Sequence, residues 1–313
     1  GTGTMSTPGA GPVTLTSDIS LAAQPPGPTR VRVSTFNLLG YGHTMPGGDR
    51  SGWLDGVTRQ KMADQLIRAN GLEVIGFQEM EQPQLDQFNA DLGSAYDLFP
   101  GNTYKGPATV NVRGNSIAWR RDRWTALQRS YYDAPYFNGT NVPRPVVLLQ
   151  NRVTGQQVLV TNTHNPANTK GDAQTWRDQS VDIQARTLNG LHAAHPGVPI
   201  IFTGDMNDTR RFYCRITGRT PLRAANGGIR TARSCTLPPA PQIDWIISTT
   251  DVAGAATSSC ARRTSRRPPT TPSSGPTRRS DPSPPSAPGS PGSSWSTSKV
   301  CRRLRSPAPM PAT

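Results

Sequence analysis

Histidine is scarce in this chain: His43, His164, His192 and His195 are its four, and none follows His195. Chemistry in the C-terminal third that needs an imidazole must borrow one from upstream or do without. Cysteine is equally sparse, at four residues. Cys214 and Cys235 have twenty residues between them and no histidine among those, which fits no common zinc pattern. A disulfide closing that loop is expected instead, the alternative being two buried thiols. It would contribute roughly 3 kcal/mol on the chain-entropy account and would favour an exported, extracellular protein. No apolar run approaches the ~18 residues of a membrane span, and no charged-then-apolar leader is read at the start.

Negative charge is missing from one region. Residues 255–313 hold ten Lys/Arg against the single acid Asp281, so +9 of the net +14 lies there, and residues 1–254 carry 24 against 19, or +5. The basicity therefore describes the tail, and it is discounted as evidence of a nucleic-acid partner. The same 59 residues contain 12 Pro and 14 Ser, but only Val300 and Leu304 among large aliphatics. Such a segment buries too little apolar surface to offset its ordering entropy. Residues 1–29, rich in Gly, Pro, Ser and Thr, read as a lead-in or linker. A folded domain is expected over 30–254, with a disordered basic tail over 255–313.

Within 30–254, apolar runs at 31–35, 72–77, 116–119, 146–149, 158–161, 198–203 and 243–248 read as strands. Helices are expected over 53–70, with Val57, Met62, Leu66 and Ala69 inward, and over 175–194, with Val181, Ala185, Leu188 and Leu191 inward. Strands interspersed with helices indicate an α/β sandwich. Trp119 and Trp124 read as core, and His192 and His195 as structural.

Five short segments follow one another in order: Thr35-Phe36-Asn37-Leu38, Gly76-Phe77-Gln78-Glu79-Met80, Thr161-Asn162-Thr163-His164-Asn165, Thr203-Gly204-Asp205-Met206-Asn207-Asp208 and Ile243-Asp244-Trp245-Ile246. Each sets a metal-binding or proton-handling side chain just beyond an apolar run. Glu79 and Asn37 are hard oxygen ligands suited to Mg²⁺ or Mn²⁺. Asp205 suits orientation or deprotonation of a water, Asn207 a phosphate oxygen or that water, and His164 donation to phosphate oxygens as charge builds. Asp244 suits a carboxylate that orients a second histidine. Singly, each has a plainer reading: a solvated loop at Gln78-Glu79, a turn cap at Asp205 and Asn207, a structural His164. The arginines between 210 and 233 form an acid-free run; Arg210 and Arg211 stand nearest the Asp205 segment, either gripping phosphates or solvated.

In this ordered set the chain resembles the endonuclease/exonuclease/phosphatase superfamily, over about residues 30–249. The resemblance implies a four-layer α/β sandwich, two mixed sheets face to face with helices outside. It implies metal binding at Asn37 and Glu79, catalytic contacts from His164, Asp205, Asn207 and Asp244, and a polar active-site residue at Asn115. The expected activity is Mg²⁺- or Mn²⁺-dependent hydrolysis of a phosphate ester, most simply a nuclease-like phosphodiesterase of DNA or RNA acting as a monomer. The alternatives are a phosphomonoesterase, a lipid phosphodiesterase, or a non-catalytic protein that binds phosphorylated ligands. A lipid enzyme would call for an apolar membrane-facing loop, which the sequence does not show.

Members of the superfamily end on Ser-Asp-His-x-Pro or a close variant, whereas this chain has Ser280-Asp281-Pro282. A reading-frame error is expected to account for both the missing histidine and the tail's composition, the alternative being an ordinary disordered basic tail. Pro268-Pro269-Thr270-Thr271-Pro272-Ser273-Ser274 is encoded by CCG CCG ACC ACC CCT TCG TCG under one choice of synonymous codons. Two bases on, that string reads Ala-Asp-His-Pro-Phe-Val. An Asp-His-Pro run would then stand about 27 residues beyond Asp244.

Overall fold

Apolar runs too short for helices become strands buried on both faces. In a computed structural model of the chain, the described residues are 30–50, 52–104, 112–239, 242–249, 252–254 and 295–297. The lead-in and nearly all of the tail lie outside them. The first half holds β1 (Arg30–Val31), β2 (Val33–Asn37), α1 (Gly56–Ala69), β3 (Val74–Gln78), α2 (Gln82–Leu92), β4 (Tyr96–Phe99) and β5 (Ile117–Arg120). The second holds β6 (Trp124–Pro135), β7 (Asn141–Asn151), β8 (Gln157–His164), α3 (Gln174–Ala194), β9 (Ile200–Asp205), α4 (Arg210–Thr217) and β10 (Leu222–Ala224). Short strands β11 (Ile229–Arg230) and β12 (Cys235–Thr236) precede β13 (Asp244–Thr249), β14 (Val252–Gly254) and β15 (Trp295–Thr297).

Two sheets carry the architecture, one in the order β2-β3-β5-β4 and one in the order β10-β13-β9-β8-β7-β6. Both are mixed: β2/β3 and β8/β9 pair parallel, their other neighbours antiparallel. Alternation along the strands sorts side chains between layers. Val33, Val74, Val158, Val160, Ile201 and Ile246 pack between the sheets. Phe36, Ile75 and Phe77 face outward under α1 and α2 with Ile67, Leu85 and Phe88. Leu159, Ile200, Phe202 and Trp245 face the other way, under α3 and α4 with Val181, Leu188 and Phe212. The result is the expected helix–sheet–sheet–helix sandwich.

The inward face of α1 differs from its apolar periodicity. Arg59, Gln60, Ala63, Asp64 and Ile67 are buried, while Met62 and Leu66 are only partly covered. Arg59 explains the rotation: its guanidinium donates to the carbonyls of Leu38, Leu39, Gly40 and Leu54, tying the loop after β2 to the helix. Asp55 caps the helix, accepting from the backbone of Val57 and Thr58. In α3 Val181, Ala185 and Leu188 point inward as expected, with Leu191 partly covered. Trp119 and Trp124 are fully buried. Trp295–Thr297 of the tail pairs its backbone with β1 and β14.

Asp64 makes the fold sensitive to pH. Burial pushes its carboxyl up from 3.8 to about 7, against the opposing pull of the Gln60 amide that donates to it at 2.8 Å. The folded chain therefore holds a proton that the unfolded chain releases near 3.8. The stabilisation is full below that pH, declines as pH rises through the window, and is lost above about 7. Asp64→Asn should remove this dependence. Its melting temperature relative to the parent should be clearly higher at pH 8 than at pH 4, and an equal offset at both would contradict the assignment.

Candidate active site

Toward one end of the sandwich, the face of each strand turned to the opposite sheet changes from apolar to polar. On β2 it runs Val33, Thr35, Asn37; on β8, Val160, Asn162, His164; on β9, Ile201, Thr203, Asp205; on β13, read backward, Ile246, Asp244. Buried amides join the sheets midway. Asn162 donates to the carbonyls of Phe77 and Asn115 at 2.6 and 2.8 Å, and its oxygen accepts from Gln78 and Thr203 at 2.7 and 3.0 Å. Gly76 permits this approach, because a Cβ there would collide with the Thr203 hydroxyl and the Asn162 amide. The polar layer is a fully bonded floor beneath the site.

Above that floor stand the candidate residues. Pairing register places His164 opposite Asp205 on β8 and β9, and Asp205 opposite Asp244 on β9 and β13. The other sheet contributes Asn37, opposite Gln78, with Glu79 one residue beyond β3. Asn37 Nδ2 bridges the sheets, donating to Glu79 Oε1 at 2.7 Å and Asp205 Oδ2 at 2.9 Å. Its Oδ1 accepts from the Leu39 backbone at 2.9 Å. Asp205 Oδ1 accepts from the Asn207 backbone at 2.9 Å, and Glu79 Oε2 from the Gly40 backbone at 3.1 Å. Asn37, His164, Asp205 and Asp244 are all buried.

Backbone strain marks the same place. Leu39, Glu79, Asn138 and Asn207 are the non-glycine residues at positive φ among the described residues, at 54°, 60°, 56° and 48°. Two are site residues, Leu39 holds the Asn37 oxygen, and Asn138 lies on the rim of the adjoining cavity. Each such position costs on the order of 1–3 kcal/mol, which the surrounding fold must sustain.

His164 is held on every side. Its Nε2 lies 3.1 Å from Asn207 Nδ2 and 3.8 Å from Glu79 Oε1, and its Nδ1 lies 3.3 Å from the Tyr136 hydroxyl. Asn207 Nδ2 also donates to the Asn165 carbonyl at 2.8 Å, which fixes the amide's orientation. An N–H then faces Nε2, so in this arrangement Nε2 accepts and the ring proton sits on Nδ1. Donation from Nε2 to a phosphate requires the doubly protonated ring, with Glu79 as the nearby counter-charge. Arg144 Nη2 donates to the His164 carbonyl at 2.7 Å and its guanidinium stacks 5.2 Å from the Tyr136 ring centroid. Burial pushes the Tyr136 hydroxyl well above its ordinary value, so it stays protonated, and with the ring proton on Nδ1 its oxygen accepts from His164.

Asn115 lies beside Glu79 and His164 in one cavity, and its side-chain oxygen is buried without a hydrogen-bond partner among the described residues. Arg210 and Arg211 are engaged elsewhere: Arg210 donates to the Cys235 carbonyl at 3.2 Å, and Arg211 pairs with Asp178 of α3. Arg215 grips Asp182 with two bonds of 2.9 and 2.7 Å, and Arg219 joins the same carboxylate. Much of the arginine run thus ties α4 to α3. The Cys214–Cys235 disulfide is formed, with its Cα atoms 5.8 Å apart, and joins α4 to β12.

Three neighbours escaped the sequence reading. Tyr136 and Arg144 reach His164 from the β6–β7 hairpin, a contact no local pattern signals. His43 Nε2 lies 3.7 Å from Glu79 Oε2, and its Nδ1 meets Asp49 at 2.6 Å.

The profile of the endonuclease/exonuclease/phosphatase family matches residues 34–279, most of the chain. The chain therefore belongs to this family, whose members are hydrolases of phosphate esters. Among solved structures, a family protein from Bacteroides thetaiotaomicron is similar at 20% identity and TM-score 0.55, covering 72% of this chain and 84% of that one. A family protein from Bacteroides vulgatus has 20% identity and TM-score 0.52, covering 71% and 87%. The mannosyl-6-phosphatase of Bacteroides thetaiotaomicron has 19% identity and TM-score 0.53, covering 70% and 85%. These likenesses concern the fold. No curated protein matches the chain.

Proposed function

We propose that this protein is a phosphodiesterase, nuclease-like and extracellular, that uses Mg²⁺ or Mn²⁺. The observation that carries the reading is the Glu79–Asn37–Asp205 bridge. Two carboxylates from different sheets converge on the positive end of one amide, at the spot where a cation would be stabilised. Among the described residues no three His, Cys, Asp or Glu cluster as a metal cage. One carboxylate and an amide oxygen, with remaining positions left to water and substrate, suit Mg²⁺. Glu79 and Asn37 would hold the ion, Asn37 by turning its amide. Bound there, it would polarise a phosphoryl oxygen and offset developing negative charge.

The protein's own groups divide the remaining work. Asp205 Oδ2, released from Asn37, accepts a proton from the attacking water. The Asn207 amide, fixed by Asn165, donates toward a phosphate oxygen, and protonated His164 does the same from Nε2. Tyr136 and Arg144 keep the imidazole in place. Attack forms the new P–O bond as the bond to the leaving alcohol breaks, and that alkoxide must collect a proton.

The test is release of p-nitrophenol from bis(p-nitrophenyl) phosphate and nicking of plasmid DNA. Activity should vanish in excess EDTA and return with Mg²⁺ or Mn²⁺; full activity under chelation would refute the metal assignment. A second reading, a phosphate-ester binder without turnover, is favoured by one observation, the absence of histidine beyond His195.

A further inference from the structure

A cavity of about 390 Å³ opens from the catalytic residues toward the β6–β7 hairpin. Glu79, Asn115 and His164 line it on the catalytic side, Tyr136, Phe137 and Val142 supply apolar wall, and Arg144 and Lys170 supply cations. Its charge is unbalanced. Arg144 is buried, yet it makes no ion pair among the described residues, and its Nε has no hydrogen-bond partner. Lys170 likewise makes no ion pair among them; its Nζ stands 4.9 Å from the Phe137 ring centroid at the rim. Among the described residues, Glu79 is the single carboxylate lining the cavity. Asp133 bears on Arg144 through its charge, without an ion pair among the described residues, so an anionic ligand in the cavity would relieve the cost of burying that cation.

Size and wall chemistry narrow the occupant. The volume lies near the small end for ligand sites and has no room for a base pair. Aromatic and aliphatic walls favour a flat ring, the Asn115 oxygen offers an unused acceptor, and Lys170 at the rim suits a second phosphate. We infer that this cavity is the subsite for one unpaired nucleoside of a phosphodiester, with Lys170 reading the neighbouring phosphate. The inference rests on the phosphodiesterase reading and sharpens it: the substrate is single-stranded or frayed nucleic acid, and the base is held beside the reacting phosphate. Phe137 and Lys170 are its specificity-determining residues.

Calorimetric titration in EDTA separates this subsite from turnover. The probes are thymidine 3′,5′-bisphosphate, thymidine 5′-phosphate and mannose 6-phosphate, against the parent, K170A, F137A and F137L. The bisphosphate should bind about tenfold more tightly than the monophosphate, as one added charged hydrogen bond allows. K170A should erase that gap with the fold intact, because Lys170 is exposed. F137A should weaken both nucleotides at least about fivefold, with F137L intermediate and all melting curves cooperative. Equal binding of the two nucleotides by the parent, parent-like binding by K170A and F137A, or tighter binding of mannose 6-phosphate would overturn the inference. Nucleotide binding without any hydrolysis would count against the enzyme reading alone. Hydrolysis with no nucleotide preference would count against the subsite alone.

Discussion

Glu79→Gln is expected to lower phosphodiester hydrolysis by about 10²–10³-fold, the usual loss when one preorganised electrostatic group is removed from a hydrolytic site. The substitution keeps the size of the side chain and an oxygen for the Gly40 N–H, so the loop after β2 should stay in place. What changes is charge. Asn37 Nδ2 now bridges two carboxylates, and in the variant it faces one carboxylate and a neutral amide. A cation held by one or two carboxylates depends steeply on each. The Mg²⁺ concentration for half-maximal activity should therefore rise along with the loss of rate. Melting curves should show little change, because Glu79 is partly exposed and at positive φ, outside the apolar layers. The comparison is best made in the protein with the restored tail described below, at matched folded concentration. Parent-like rate and Mg²⁺ dependence in Glu79→Gln would remove Glu79 from the centre of the mechanism.

Much of this site was legible in the sequence because strands advertise it. A run such as Ile200–Asp205, apolar and then abruptly charged, says both where a strand ends and which side chain stands at its mouth. Four such endings, at Asn37, Glu79, His164 and Asp205, imply parallel carboxyl ends, and the pairs β2/β3 and β8/β9 supply them. Asp244 does not follow its strand but opens β13, and it reaches the same end because β13 runs antiparallel to β9. The inward residues of α1 were less legible, since Arg59, Gln60 and Asp64 look like a solvated face. They are buried because the loop carbonyls need Arg59 and because Asp64 keeps its proton. Helix α2 was missed although its start is written in the chain: Glu81 and Gln84 form a reciprocal capping box around Pro83. Tyr136 and Arg144 had no such signal. They lie 28 and 20 residues from His164 and meet it only through the register of β6, β7 and β8. The arginine run misled in the opposite direction, because its acid partners, Asp178 and Asp182, lie on α3 some 33 residues away.

Restoring the alternative reading frame across the tail should raise phosphodiesterase activity by about 10²–10⁴-fold, the contribution of a positioned proton-handling group. The restored run would supply Asp-His-Pro where this chain has Pro, Thr and Ser. Asp244 is placed for such a partner: it is buried at the first position of β13, opposite Asp205 and so next to the proposed water-activating group. An imidazole there would serve the alkoxide that leaves, the one proton demand that Asp205, Asn207 and His164 do not meet. The restored Phe-Val that follows should also begin a strand. Among the described residues β2, which carries Asn37, is an edge of its four-stranded sheet, and a strand added along that edge would hold it by further backbone hydrogen bonds. Amides of Val33–Asn37 should therefore gain protection from hydrogen exchange in the restored protein, and its melting temperature should rise. The measurement is kcat/KM on bis(p-nitrophenyl) phosphate and on plasmid DNA with Mg²⁺, together with exchange mass spectrometry of β2. Equal activity would mean that some other group, such as His43 with its Nε2 3.7 Å from Glu79 Oε2, already serves the leaving oxygen. A coding sequence across residues 255–313 with no Asp-His in another frame would remove the premise, and the ligand-binding reading without turnover would then stand first.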